Sequence, residues 1–199
     1  MEFAQQKLLK FAQMRGLIRP RDLAPLNIPR ATLTRLVRRG ALQRVARGLY
    51  SLPNYPVSEH VGLAEAAIKC PQGIICLLSA LQFHQLTTQT PFEVWLAIPN
   101  KARAPKLTHP PLRIVRYSGA SLEQGIEKHT IDGVIVPITT VAKTIADCFK
   151  FRNKIGLDIA LEALREAWAD KRTSMDELWH YAKVCRVSNV MRPYLESLV

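Results

Sequence analysis

Residues 28–53 read IPRATLTRLVRRGALQRVARGLYSLP, and this stretch decides how the chain begins. It holds six arginines (Arg30, Arg35, Arg38, Arg39, Arg44, Arg47), and no acid occurs from Leu23 to Ser58. Its first half has a helical pattern. Pro29 suits the first helical position and Gly40 the position just past the end. Leu33, Leu36 and Val37 gather on one face. At about 100° per residue, Ala31, Arg35, Arg38 and Arg39 point the opposite way, with Arg30, Thr32 and Thr34 on the flanks. The second half gives two strand-like runs, Leu42–Val45 and Leu49–Leu52, around Ala46-Arg47-Gly48. A three-residue hairpin loop with Gly in the left-handed position is a standard connection.

Before this stretch, Ala4, Leu8, Phe11 and Ala12 recur at helical spacing, and Gly16 closes that helix. A short helix is expected over Pro20–Leu26, with Pro20 in its first turn. Helix, short helix, basic helix, basic hairpin is the order of a winged helix-turn-helix, expected over residues 1–55. In that fold the third helix enters the major groove and the wing reaches phosphate or the minor groove. The candidate DNA-binding residues are Arg30, Thr32, Thr34, Arg35, Arg38, Arg39, Arg44 and Arg47. The charge distribution agrees. The chain carries +12 from 28 basic and 16 acidic side chains. Residues 1–55 hold eleven Lys/Arg against two acids, a balance of +9; the remainder holds 17 against 14, a balance of +3. An ordinary solvated face mixes signs, and this one does not. Only Tyr50 could stack on a base, so double-stranded DNA is the expected partner, not a single strand.

Residues 57–199 follow a stiff Pro53–Pro56 linker and read as a mixed α/β domain with a helical C-terminal end, making the whole chain α+β. Strands fall mainly in 74–139 and helices in 140–199. Helices are expected over Glu59–Lys69 and Ser79–Gln85, with a short strand at Ile74–Leu77. EVWLAIP and LRIVRY are strands, and Asp132-Gly133 marks a hairpin turn. Thr140–Phe149 is a helix. Leu157, Leu161, Leu164 and Trp168 share one helical face. Ser174 and Glu177 form a capping box opening a helix through Tyr181, and Pro193 starts the last helix. The four cysteines form no C-x-x-C pair and sit among apolar neighbours, the pattern of reduced core thiols. No signal peptide and no run long enough to span a bilayer occurs, so a cytoplasmic protein without a membrane partner is expected.

The chemistry-bearing motifs are missing: no Gly-rich phosphate loop, no H-E-x-x-H, no G-x-S-x-G, no carboxylates at metal spacing. The expectation is no enzyme, no catalytic residues, no metal and no cofactor. His84, in SALQFHQL, reads as a hydrogen-bonded core histidine, and Asp147 as a helix residue beside a core thiol. A divalent-metal nuclease would have to recruit Glu93, Glu127 and Asp132. The loop bearing Lys101, Arg103 and Lys106 suits an acidic partner, DNA or plain solvent.

The blocks LVRRGALQRVARGLYSLP, ICLLSALQFHQL, EVWLAIPNKARAP, PLRIVRYSG and AKTIADCFKFRNKIGLDIALEALRE, taken in this order, resemble the AbiEi family of type IV antitoxins from the winged helix to about Trp168. The resemblance implies a bacterial two-gene system in which a winged-helix antitoxin represses its own promoter and counteracts a nucleotidyltransferase toxin through its C-terminal part. It also implies that no stable toxin–antitoxin complex is required. A stand-alone winged-helix regulator with a ligand- or protein-sensing C-terminal domain is the alternative reading.

Overall fold

The computed structural model describes residues 2–46, 48–55, 58–105, 107 and 109–198, leaving the side chain of Glu2 aside. The chain opens with helix α1 (Glu2–Arg15), a 3-10 helix (Pro20–Leu26) and α2 (Ala31–Arg38). The two-stranded wing follows, β1 (Gln43–Ala46) and β2 (Leu49–Ser51). Leu8, Ala12, Ile18, Leu23, Ile28, Leu33, Leu36 and Leu42 form the core of this head. The periodicity of α1 and α2 therefore buries the faces it should. Gly16 and Gly40 stand at φ +78° and +70° just after the two helices, in the left-handed conformation that closes a helix end. Tyr50 in β2 exchanges backbone hydrogen bonds with Ile18, which adds a third rung to the wing.

The body is built on a five-stranded mixed sheet in the order β5-β4-β3-β7-β6. Its strands are β3 (Ile74–Ile75), β4 (Val94–Pro99), β5 (Leu112–Tyr117), β6 (Ile126–Ile131) and β7 (Val134–Thr139). The pairs β3–β4 and β6–β7 are antiparallel, and β3–β7 and β4–β5 parallel. Both faces of β4 are covered, which is why VWLAI reads as an unbroken apolar run. Val94, Leu96 and Ile98 face one cluster with α3 (Val61–Lys69), while Trp95 and Ala97 face the other. That second cluster packs against α4 (Leu77–Phe83), α6 (Val141–Lys150), α8 (Leu157–Ala169), α9 (Met175–Val184) and α10 (Ser188–Glu196). Two single-turn helices, α5 (Ala120–Glu123) and α7 (Arg152–Ile155), complete the set. The Asp132-Gly133 turn has φ of +48° and +75°, the geometry of a two-residue hairpin, as its sequence predicts.

Head and body share packing. Leu17 and Leu49 of the head lie in the same cluster as Ile131 and Val134 of the β6–β7 hairpin. Tyr55 packs over Gly16, where any β-carbon would collide with its ring, and Ser58 N donates to Asp132 Oδ1 at 3.3 Å.

Three expectations need correction. Pro193 lies inside α10 instead of starting it. Val187, Met191 and Leu195, spaced by four, are buried, and that packing begins the helix ahead of the proline. The helix opened by the Ser174 capping box runs on to Val184, past Tyr181. The α4 helix begins at Leu77, two residues before the predicted Ser79, leaving β3 only two residues.

Candidate nucleic-acid interface

The second helix presents a single-sign surface because of what lies beneath it. Thr32, Leu33 and Leu36 are buried against the head core. That arc leaves Ala31, Thr34 and Arg38 exposed on the far side, with Arg35 half-buried at its border. Arg30 is exposed at the helix entrance. Arg39 is exposed and donates from Nη1 to Gln5 Oε1 of α1 at 3.2 Å. The wing adds Arg44, exposed, with Nε 3.4 Å from the Ala46 carbonyl. Arg47, expected at the wing tip, lies outside the described residues.

The structure removes Thr32 from the candidate set. It is only 6% exposed, because it lies next to Leu36 at the border of the buried arc and not on the outer flank. A base edge cannot reach it without unpacking α2. The remaining residues, Arg30, Thr34, Arg35, Arg38, Arg39 and Arg44, sit on the helix, its entrance and the wing.

The absence of acid from this face has a structural counterpart. Asp22 is held by Arg19, whose Nε lies 2.9 Å from Oδ2 and Nη2 2.9 Å from Oδ1, while the Arg19 backbone N–H also donates to it. Arg15 adds a longer contact at 3.8 Å. The carboxylate thus caps the 3-10 helix and is not free to offset the arginines of α2. Burial alone would raise the Asp22 carboxyl above its ordinary 3.8, but the hydrogen bonds and charge of Arg19, with Arg15 behind, bring it below. A depressed folded value means that its contribution is present above the ordinary carboxylate range and is lost as pH falls through the folded value. Asp22→Asn is therefore expected to cost about 1.5–3 kcal/mol at pH 7. The deficit relative to wild type should shrink in acid, as thermal unfolding of both proteins at neutral and strongly acidic pH would reveal.

The other candidates of the sequence disperse or withdraw. Glu93 pairs with Arg113 (2.9 Å), Glu127 with His129 (3.2 Å), and Asp132 stands at a turn. Among the described residues no three His, Cys, Asp or Glu side chains are grouped to hold a metal ion. The cysteines are free and buried, and burial pushes Cys185 up to about 12, leaving it an unreactive thiol. His84 is buried and its Nε2 is 2.7 Å from the Thr139 carbonyl, the satisfied core histidine expected of it. No helix among the described residues is long and apolar enough to cross a membrane.

What the sequence did not announce is a fully buried ion pair on α6. Lys143 Nζ lies 2.5 Å from Asp147 Oδ2 and 4.6 Å from the centre of the Tyr117 ring, and Cys185 Sγ donates to Asp147 Oδ1 at 3.2 Å. The (i, i+4) spacing of Lys and Asp was legible; its burial was not, because such pairs are ordinarily on the surface.

Comparison with known proteins places these observations. Residues 6–53 match the family model described as "Transcriptional regulator, AbiEi antitoxin", which covers the head and its basic face. The whole chain is similar in fold to the crystal structure of RV2827C protein from Mycobacterium tuberculosis, with a TM-score of 0.61 and 13% identity over 98% of this chain and 77% of that one. No curated protein matches the chain.

Proposed function

We propose that this chain, whose winged helix matches the AbiEi transcriptional-regulator family, is the antitoxin of a bacterial type IV toxin–antitoxin pair. In this reading the head (residues 1–55) binds its own promoter as an autorepressor. The body (residues 57–199) counteracts a nucleotidyltransferase toxin, with no stable complex required. The observation that carries the reading is the coincidence of the family match with the acid-free surface. Residues 6–53 hold Arg30, Arg38, Arg39 and Arg44, all exposed, while the acid within the match, Asp22, is committed to Arg19.

The chemistry divides between helix and wing. In this reading Arg35 and Arg38 on α2 meet base edges, where a bidentate arginine–guanine contact discriminates by about 1–3 kcal/mol. Arg44 on the wing supplies phosphate contact, which is alike at every sequence. Arg44→Ala should then weaken operator and non-operator duplexes to the same degree and flatten the log–log salt slope by about 0.9. An unchanged slope in a fluorescence-anisotropy titration would take the wing off the DNA.

The test of the proposal uses the neighbouring genes. A nucleotidyltransferase reading frame beside this one, toxic when expressed alone and tolerated when this chain is co-expressed, supports the antitoxin reading. Full toxicity despite soluble, folded protein would remove it and leave the stand-alone regulator.

A further inference from the structure

The head carries an apolar and basic surface on the side away from the α2 arginines. Leu8 and Ala12 turn α1 toward the head core, which they share with Leu33 and Leu36 of α2. At about 100° per residue, Phe3, Lys7, Lys10 and Met14 form the opposite row. Phe3 is 79% and Met14 87% exposed, so two large apolar side chains stand in water. Beside this row, Phe11, Arg15, Arg21, Asp22, Pro25 and Leu26 line a groove of about 480 Å³ between α1 and the 3-10 helix. Lys7 ties the two helices together, donating from Nζ to the Leu26 carbonyl at 3.1 Å. Asp22 is committed to Arg19. The surface therefore offers Lys7, Lys10, Arg15 and Arg21, all exposed, with no second acid among the described residues.

Such a surface suits an amphipathic helix whose apolar residues are edged by carboxylates, and this chain has one. Residues 158–170 hold Asp158, Glu162, Glu166 and Asp170 against Arg165 alone. The first three follow at one-turn spacing on the outer side of α8, and none of the four is in a salt bridge among the described residues. Leu161 and Trp168, both half-buried, lie along the same side beyond Arg165. The lengths agree, since Lys7–Arg15 and Asp158–Glu166 each advance about 12 Å along a helix. Within one chain the two surfaces cannot meet. The head packs on the α3 face of the sheet and α8 belongs to the opposite face. From this we infer that the α1 surface of one chain docks on the α8 surface of a second copy, with Phe3 and Met14 on Leu161 and Trp168 and the cations on the α8 carboxylates. The contact joins two different patches, so each chain can engage one copy through its head and another through its body.

This inference is independent of the DNA-binding reading, and its test needs no DNA. The full chain is sedimented over a concentration series, and its average mass should rise above that of one chain. Lys7→Glu with Lys10→Glu, and separately Glu162→Lys with Glu166→Lys, should each weaken self-association about tenfold or more, because attraction across the contact becomes repulsion. An equimolar mixture of these two variants should associate again. The reversed α1 of one then meets the reversed α8 of the other, while their native surfaces still match. Phe3→Ala with Met14→Ala, at two exposed positions, should weaken self-association by a similar factor with an unchanged circular dichroism spectrum. The inference is wrong if the wild-type mass stays that of one chain at every concentration, if any of the three variants associates like wild type, or if the mixture of charge-reversed variants stays apart.

Discussion

Asp147→Ala should destabilise the protein by about 3–5 kcal/mol, the cost of leaving a buried charge without its partner. Lys143 and Asp147 are both fully buried on α6, the helix at the centre of the body, and no water-facing route is open to the ammonium once the carboxylate is gone. The Tyr117 ring, 4.6 Å away, offsets only part of that loss. Lys143→Met should cost a comparable amount, because it strands the carboxylate. The double variant Lys143→Met, Asp147→Leu should recover most of the loss, since a buried ion pair is worth little more than apolar side chains of similar volume. Urea unfolding of the four proteins reads this directly. A single variant within about 1 kcal/mol of wild type would mean that the pair is hydrated or already neutral in the folded chain.

The second large effect falls on DNA. Replacing Arg30, Arg38 and Arg39 together by Ala should abolish promoter repression and flatten the salt slope by about 2.7 if each neutralises one phosphate. All three side chains are exposed, so thermal stability should stay near that of wild type, and Arg39 alone forfeits a side-chain bond, to Gln5. If the proposed division of labour is right, the triple variant still protects cells from the neighbouring toxin. Removing residues 1–55 is a harsher experiment. Leu17 and Leu49 cover Ile131 and Val134, so truncation strips apolar surface from the body. Loss of protection on truncation therefore speaks to folding unless circular dichroism shows an intact body. Retained repression by the triple variant in a promoter–reporter strain would place the operator contact elsewhere on the molecule.

The amino-acid sequence by itself determined the local elements of the head and the sign of its surface. Apolar spacing in α1 and α2, Gly16 and Gly40 after them, and the Gly48 turn act over a few residues, so no tertiary information was needed to place them. The same holds for the Asp132-Gly133 turn and the Ser174–Glu177 capping box, whose hydrogen bonds close within four residues. The charge of the α2 face was equally legible, because an exposed arginine row with no acid nearby is a matter of composition and period.

What tertiary structure decided is what each side chain faces. Thr32 lies at the border of the buried arc, where a rotation of a few tens of degrees separates a core residue from a surface one, and only the packing of α2 on Leu8 and Ala12 sets that rotation. The order β5-β4-β3-β7-β6 joins strands far apart in the chain, and no local pattern specifies which parallel neighbour β7 takes. The helix holding Pro193 begins at Ser188 because burial of Val187 and Met191 outweighs a proline that would elsewhere mark a start. Lys143 and Asp147 look like a surface pair in the sequence. They are buried because α6 is enclosed by the sheet and by α4, α8, α9 and α10, a coincidence of long-range contacts that one segment cannot encode. The polar cleft lined by His84, Glu127, Arg172 and Glu177 is of the same kind: these residues are scattered along the chain, and only the fold brings them together.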